Sequence, residues 1–359
     1  MKKALHRLAV LSLPLALTAS VLPAQSVSAA VDRTAKHNAK APKGFKRKNA
    51  KGVTNVNKYL YPRRDYVGVF TQYDNRSPVG GAKYFGGLVG KKKPNVIKGF
   101  ANWGAPFDQT WAKNIWKAGA IPQWELEAHP VDWNGNITVK KIANGRADAY
   151  IKQIAQGVRA AKVPVALSFA HEFNGDWYEW GYCSRPKKNP PATACKYKTK
   201  PAEFKKAWKR MHGIFTKAGA TNAIWMWSPN ETGPRAEVRL KPFYPGDAYV
   251  DWIGLIGYYR STSSTYAKVF TPSIKELRRF TKKPVIIGEV STLPGKSRPR
   301  QIRDFLKNVA ADPGVIGFIW FNKDQRQNEG SNGDYRVEKS KAGVTAFKTG
   351  LKKGYFGRK

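Results

Sequence analysis

The sequence predicts a single-domain (β/α)8 barrel, a TIM barrel of the α/β class, on three observations. Eight short apolar runs recur along the chain, amphipathic helical stretches lie between several of them, and no glycine-rich phosphate loop follows the first run. Strands that are apolar throughout, rather than at alternate positions, are buried on both faces, as in a parallel sheet wrapped in helices. An open doubly wound sheet is the competing architecture, and the missing phosphate loop weighs against it.

Taken in order, the strands are expected at Tyr66–Thr71, Asn95–Phe100, Ala120–Glu125, Val165–Ala170, Ala223–Trp227, Trp252–Tyr258, Pro284–Glu289 and Val315–Trp320. Helical patterns fall at Phe107–Ala118, Gly145–Ala161, Pro201–Ala218, Ser273–Phe280 and Pro299–Ala310. In the third of these, Phe204, Trp208, Met211 and Phe215 recur at spacings of four, three and four, which stacks them on one helix face.

The ends of the chain read differently. Lys2, Lys3 and Arg7, an apolar run from Leu8 to Leu22 and the small residues Ser28, Ala29 and Ala30 make residues 1–30 a secretory signal peptide. The apolar run is interrupted by Pro14 and falls short of a bilayer span, so the protein is expected to be secreted and extracellular. Residues 31–54 are lysine-rich and nearly free of large apolar groups, and are read as a basic flexible N-terminal segment. The barrel is expected to occupy residues 55–359.

Lys and Arg number 64 against 24 Asp and Glu, for a formal net charge of +40. Such a balance favours contact with anionic polymers. The cations are spread along the chain with no nucleic-acid motif, so the charge speaks to location rather than to chemistry. The two cysteines, Cys183 and Cys195, flank a proline-rich loop and are expected to pair as a disulfide in an oxidising compartment.

A barrel of this kind works at the carboxyl ends of its strands. Strand 3 delivers Trp124, Glu125, Glu127 and His129; strand 4, His171, Glu172 and Asn174; strand 5, Trp227 and Asn230. Strand 6 ends in Tyr258 and Tyr259, strand 7 in Glu289, and strand 8 in Trp320 and Asn322. Carboxylates, aromatics and amides on one rim are the composition of a carbohydrate cleft. Glycoside cleavage commonly uses two carboxyl groups flanking the bond, and Glu172 and Glu289 end strands that face one another across the mouth. His171 stands ready to position its neighbour, Tyr258 to hydrogen-bond Glu289, and Trp177 and Trp320 to carry sugar faces.

The stretches "LSFAHEFNGDWYEWG", "WMWSPN", "FYPGDAYVDWIGLIGYY", "KPVIIGEVS" and "GDYRVEKSKAGVTAF", in this order, resemble the catalytic domain of glycoside hydrolase family 26. The resemblance runs from about Tyr66 to Phe347. It implies a (β/α)8 barrel that cleaves β-mannan or mixed-linkage β-glucan internally with retention, Glu172 being the acid/base and Glu289 the nucleophile. It also implies substrate contacts at His171, Trp177, Tyr258 and Trp320, to which the rim reading adds Glu125 and Asn230. Two positions depart from the family's mannanases: Glu125 follows Trp124 where a histidine is usual, and Ile256 stands where an aspartate precedes the strand-6 tyrosine. Both lie in the sugar-contacting region, so the resemblance points to glycoside hydrolysis more than to mannan.

The partners expected are a polysaccharide substrate and, through the basic surface, anionic cell-wall polymers. The reaction calls for no cofactor and no metal, and nothing calls for a specific nucleic acid or a membrane span; a monomer is expected. The competing reading is a barrel that binds carbohydrate or cell wall without turnover, which a reducing-sugar assay separates from an enzyme.

Overall fold

A computed structural model describes residues 41, 47–71, 77–90, 92–128, 137–183, 198–326, 333–352 and 355–357. Eight parallel strands close into a barrel in sequence order. They are β1 (Tyr66–Thr71), β2 (Val96–Asn102), β3 (Ile121–Glu127), β4 (Val165–Phe169), β5 (Ala223–Trp227), β6 (Trp252–Ile256), β7 (Val285–Val290) and β8 (Val315–Asn322). Every apolar run forms the strand expected of it. Pairing of β1 with β8, from Tyr66 opposite Gly317 to Thr71 opposite Asn322, seals the barrel.

The five expected helices form at Gln109–Lys117, Asp148–Ala161, Pro201–Lys217, Thr271–Leu277 and Arg298–Ala311. Phe204, Trp208, Met211 and Phe215 are all buried along one face, as their spacing requires. Two further helices, Pro78–Leu88 and Lys341–Leu351, carry glycines that lower intrinsic helix propensity. Each is started by a serine cap, Ser77 accepting from the Gly80 N–H and Ser340 from the Gly343 N–H. Packing supplies the rest: Phe85 and Phe347 meet edge to face across the two helices.

The barrel interior is layered. At the base, Tyr66, Val96, Ile121, Ala166, Ile224, Trp252, Ile286 and Ile316 point inward and are plugged by Val56, Tyr59 and Leu60. The Trp252 indole donates to the Leu60 carbonyl and the Tyr66 hydroxyl to that of Tyr59, tying the plug to the strands. The barrel therefore begins earlier than residue 55. Arg47 pairs with Asp251 at 2.5 Å and donates to the Ala223 carbonyl, and the Thr54 N–H reaches the Lys162 carbonyl. Residues 47–54 belong to the base rather than to a flexible segment, because a basic side chain that finds a buried carboxylate is no longer a solvated charge. Residues 1–40, with the expected signal peptide, lie outside the described residues.

Two compensating irregularities decide which way β7 and β8 face. Val285 pairs with Val315, Ile287 with Phe318 and Val290 with Trp320, so β8 carries an extra residue first and β7 carries one next. On β8 the extra residue falls beside Gly317, whose φ of +141° is open only to glycine. Each bulge inverts the parity of the side chains beyond it. Ile316 faces the interior, but after Gly317 it is Ile319 and Phe321 that do so, while Phe318 and Trp320 turn to the helices. On β7, Ile286 faces inward and Val290 outward, and the bulge between them delivers Glu289 to the barrel mouth.

A Cβ at Gly317 would collide with the Tyr66 backbone across the seam. Gly317→Ala is therefore expected to cost more than about 1 kcal/mol in urea unfolding. It should also impair turnover through displacement of Phe321. A stable, fully active variant would mean that the seam tolerates another backbone path.

Candidate active site

At the carboxyl ends of the strands lies a cleft of about 780 Å³. Its walls include Phe70, Phe100, Glu127, Glu172, Trp177, Tyr178, Tyr258, Arg260, Glu289, Phe321, Lys323 and Tyr335. Phe70 and Phe321, brought opposite each other by the β1–β8 register, stack at 5.1 Å, and Tyr258 and Tyr335 meet at 5.4 Å. Aromatic faces offer flat apolar surface to the ring faces of a sugar, with hydroxyls and carboxyls at their edges.

Glu172 sits just beyond β4 in a strained turn: Ala170 and Glu172 have φ of +49° and +52°, unusual for residues with a Cβ. Tethers to both neighbouring strands hold that turn. The Ala170 N–H donates to the Leu126 carbonyl at 3.0 Å and the Glu172 N–H to the Ser228 carbonyl at 2.7 Å. Asn174 and the Asn230 backbone exchange two hydrogen bonds, at 2.8 and 2.9 Å. The Trp180 indole donates to the His171 carbonyl at 2.7 Å. So held, the Glu172 carboxyl accepts from the Trp177 indole at 2.8 Å. Burial, and then the charge of Glu289, push its pKa up to about 8 against the opposing pull of the Trp177 bond, Arg260 and Lys98. At neutral pH it holds its proton.

Glu289 has two partners at once. Tyr258 donates its hydroxyl to Oε2 at 2.5 Å, and the Lys98 ammonium lies 2.7 Å from Oε1. Burial and the neighbouring carboxylates keep the Tyr258 hydroxyl well above its ordinary pKa, so it remains a donor. Lys98 also touches Glu125 at 2.8 Å. Burial pulls its pKa down, but Glu125 and Glu289 together outweigh that pull and hold it above the usual lysine value.

The residues named from the sequence divide into three groups. Glu172, Glu289, Trp177 and Tyr258 line the cleft together. Glu125, His171 and Asn230, expected as sugar contacts, are buried beneath it and are not among the lining residues. Glu125 is fully buried against Lys98; His171 sits between Glu125, 3.5 Å from Nδ1, and the Tyr178 hydroxyl, 3.2 Å from Nε2; Asn230 braces the Glu172 turn. Trp320 is the third case. It faces the helical layer and packs edge to face on Phe347 at 4.7 Å, because the Gly317 bulge gives the cleft to Phe321 instead. His129 and Cys195 lie outside the described residues, while Cys183 is buried.

Several residues of the site are not legible as such in the sequence. Phe70, Phe100 and Tyr335 look like core aromatics, and Arg260 like one surface cation among many. Lys98 does carry a signal. In "NVIKGF" a lone lysine interrupts an apolar strand at the parity of Val96 and Phe100, which face inward.

A closed parallel barrel with two buried carboxyl groups in an aromatic cleft is the layout of a glycoside hydrolase. The particular family follows from comparison: residues 100–289 match the profile of glycosyl hydrolase family 26, and the chain belongs to that family. It is similar to Endoglucanase H of Acetivibrio thermocellus, 29% identical over 287 residues that make up 76% of this chain and 29% of that protein. It is also similar to a mannan endo-1,4-beta-mannosidase of Bacillus subtilis, 31% identical over 170 residues, 42% of this chain and 43% of that protein. The chain thus spans less than half the length of these relatives. Among solved structures, a modular endo-β-1,4-mannanase of Cellulomonas fimi shares the fold with a TM-score of 0.61 at 14% identity, over 83% of this chain and 73% of that one.

Proposed function

We propose that the protein is a secreted, retaining endo-glycoside hydrolase that cleaves β-linked polysaccharide by double displacement, Glu289 acting as nucleophile and Glu172 as acid/base. One observation carries the reading. Two carboxyl groups face one cleft from opposite strands in opposed environments, Glu172 buried and protonated under an indole, Glu289 against an ammonium and a phenol. Burial keeps the Glu172 proton available for a leaving oxygen, while the ammonium and the phenol orient Glu289 for attack.

In the first step Glu289 bonds to the anomeric carbon while the glycosidic C–O bond breaks and the Glu172 proton passes to the leaving oxygen. In the second, the Glu172 carboxylate takes a proton from water, whose oxygen displaces Glu289 and restores both groups. Trp177 and the Tyr258–Tyr335 pair border the cleft where sugar rings would lie. The relatives' names divide among endoglucanase, mannan endo-1,4-beta-mannosidase and beta-1,3-xylanase, and of these classes β-mannan or mixed-linkage β-glucan is put first as substrate. Incubation with mannan, mixed-linkage glucan, xylan and acidic wall polymers, with products identified, is expected to give internal cleavage of one of the first two. No new reducing ends from any of them would sink the reading in favour of a binding barrel.

Two finer points belong to the same proposal. Cys183 and Cys195 pair in the secreted protein and stiffen the wall beside Glu172, closing a loop of 12 positions for about 3 kcal/mol on chain-entropy grounds. Intact mass should then rise by two hydrogens on reduction; two free thiols in natively secreted protein would refute it. The basic surface holds the enzyme near anionic wall polymer by charge alone, so sedimentation with such a matrix should fall steeply with added salt. Salt-insensitive association would point to a specific site instead.

A further inference from the structure

The double displacement leaves one buried charge without a task. Lys98 stands in the middle of β2, and its ammonium bridges the Glu289 Oε1 at 2.7 Å and the Glu125 Oε2 at 2.8 Å. Gln123 donates to the same Glu125 oxygen at 3.4 Å, and the other Glu125 oxygen lies 3.5 Å from His171 Nδ1. Lys98, Glu125 and Gln123 are fully buried and line no part of the cleft, so a sugar in the cleft does not meet them. A buried ion pair seldom repays its desolvation, and well-packed apolar residues would serve stability as well or better. Three polar side chains in the middle layer, directly under a reacting carboxylate, therefore call for a role in the reaction.

We propose that Lys98 is a positioning residue for Glu289, and that Glu125 is the permanent counter-ion that keeps Lys98 charged through the reaction cycle. The proposal rests on the reading of Glu289 as nucleophile. Lys98 takes the oxygen on the floor side, and Tyr258, which lines the cleft, takes the other, so the carboxylate is pinned with Oε2 toward the substrate. When Oε2 bonds to the anomeric carbon, Glu289 becomes an ester and loses its negative charge. Without Glu125 the ammonium would then be buried with no anion beside it, and the intermediate would bear that cost. With Glu125 in place, the Lys98–Glu125 pair stays neutral in both states, and only the carboxylate's charge moves. The other titratable groups that line the cleft with Glu289 are Glu127, Glu172, Tyr178, Tyr258, Arg260, Lys323 and Tyr335. Of these Arg260 and Lys323 bring positive charge, and both line the open cleft rather than the buried floor where Lys98 sits.

The test uses the pH dependence of kcat/KM on an aryl glycoside with a good leaving group, which bypasses Glu172 in the first step. Lys98→Met with Glu125→Gln removes both charges and leaves no unpaired ion, so it keeps folding separate from function. Its acidic limb should move up by about 1–3 pH units, the effect of losing a cation within contact of a carboxylate, with KM little changed. Lys98→Arg should restore part of the shift. Glu125→Gln alone should leave the acidic limb in place or lower it while slowing formation of the glycosyl-enzyme. Loss of turnover in the double variant with the limb unmoved would reduce Lys98 to a packing role and overturn the proposal.

A readout independent of activity guards against misfolding and against error in the functional reading. Wild-type protein carrying 15Nζ-lysine should show a water-protected ammonium signal that Lys98→Arg removes and Glu289→Gln shifts. Absence of such a signal would overturn the proposal whatever the kinetics. If the signal is present but the wild type cleaves no glycan, the functional reading fails and the charged strut stands.

Discussion

Glu289→Ala is expected to be inactive on every substrate, because in the proposed double displacement it removes the carboxylate that attacks the anomeric carbon. Glu172→Ala should behave differently. Protonation of the leaving oxygen is worth about 10²–10⁴-fold when that oxygen is a poor leaving group. Polysaccharide cleavage should therefore fall by that factor, while an aryl glycoside whose leaving group departs unaided should still react quickly with Glu289. The glycosyl-enzyme should then accumulate, since the residue that activates the second-step water is gone. Intact-mass measurement of the variant would show the adduct, and NMR of early wild-type products would show retained configuration. Inverted product, or equal loss in the two variants on the activated substrate, would overturn the division of labour between them.

The proton on Glu172 should dominate both the pH profile and the pH dependence of stability. With its pKa at about 8, polysaccharide cleavage should persist through neutrality and fall on an alkaline limb centred near pH 8. The Trp177 indole favours the ionised form, so Trp177→Phe should move that limb to higher pH besides weakening substrate binding. For stability the sign is equally definite. The folded-state pKa is raised above the ordinary value of 4.5, so the contribution of the protonated carboxyl is fully present below pH 4.5 and is lost as pH rises to about 8. Glutamine fills the same space and has no charge to bury. Glu172→Gln should thus melt close to wild type at pH 4.5 and progressively above it toward pH 8, with the gap constant beyond. An unchanging difference across that range would mean that burial does not set the titration of Glu172.

The placement of Glu172 and Glu289 shows how far a linear reading reaches. Glu172 and Glu289 are legible because each follows an apolar run and a parallel barrel presents strand ends to its active site. The burial of Phe204, Trp208, Met211 and Phe215 is legible because helix periodicity is a local property. The helices Pro78–Leu88 and Lys341–Leu351 are not, since their glycines argue against a helix until Thr71 and Arg298 pack against them. Trp320 fails for a related reason. Its facing depends on a bulge at Gly317, and a single inserted residue reverses every side chain beyond it.

The sequence by itself determined the architecture and the family and pointed to the two glutamates, because these depend on hydrophobic period, strand-end position and residue type, all of which are local. Only the tertiary structure decided what surrounds them. That Lys98 of β2 meets Glu125 of β3 and Glu289 of β7, that Asn174 and Asn230 brace the turn beneath Glu172, and that Arg47 closes onto Asp251 at the base are meetings between segments far apart in the chain. Charge pairing and burial act through space, and barrel closure brings these groups within contact distance.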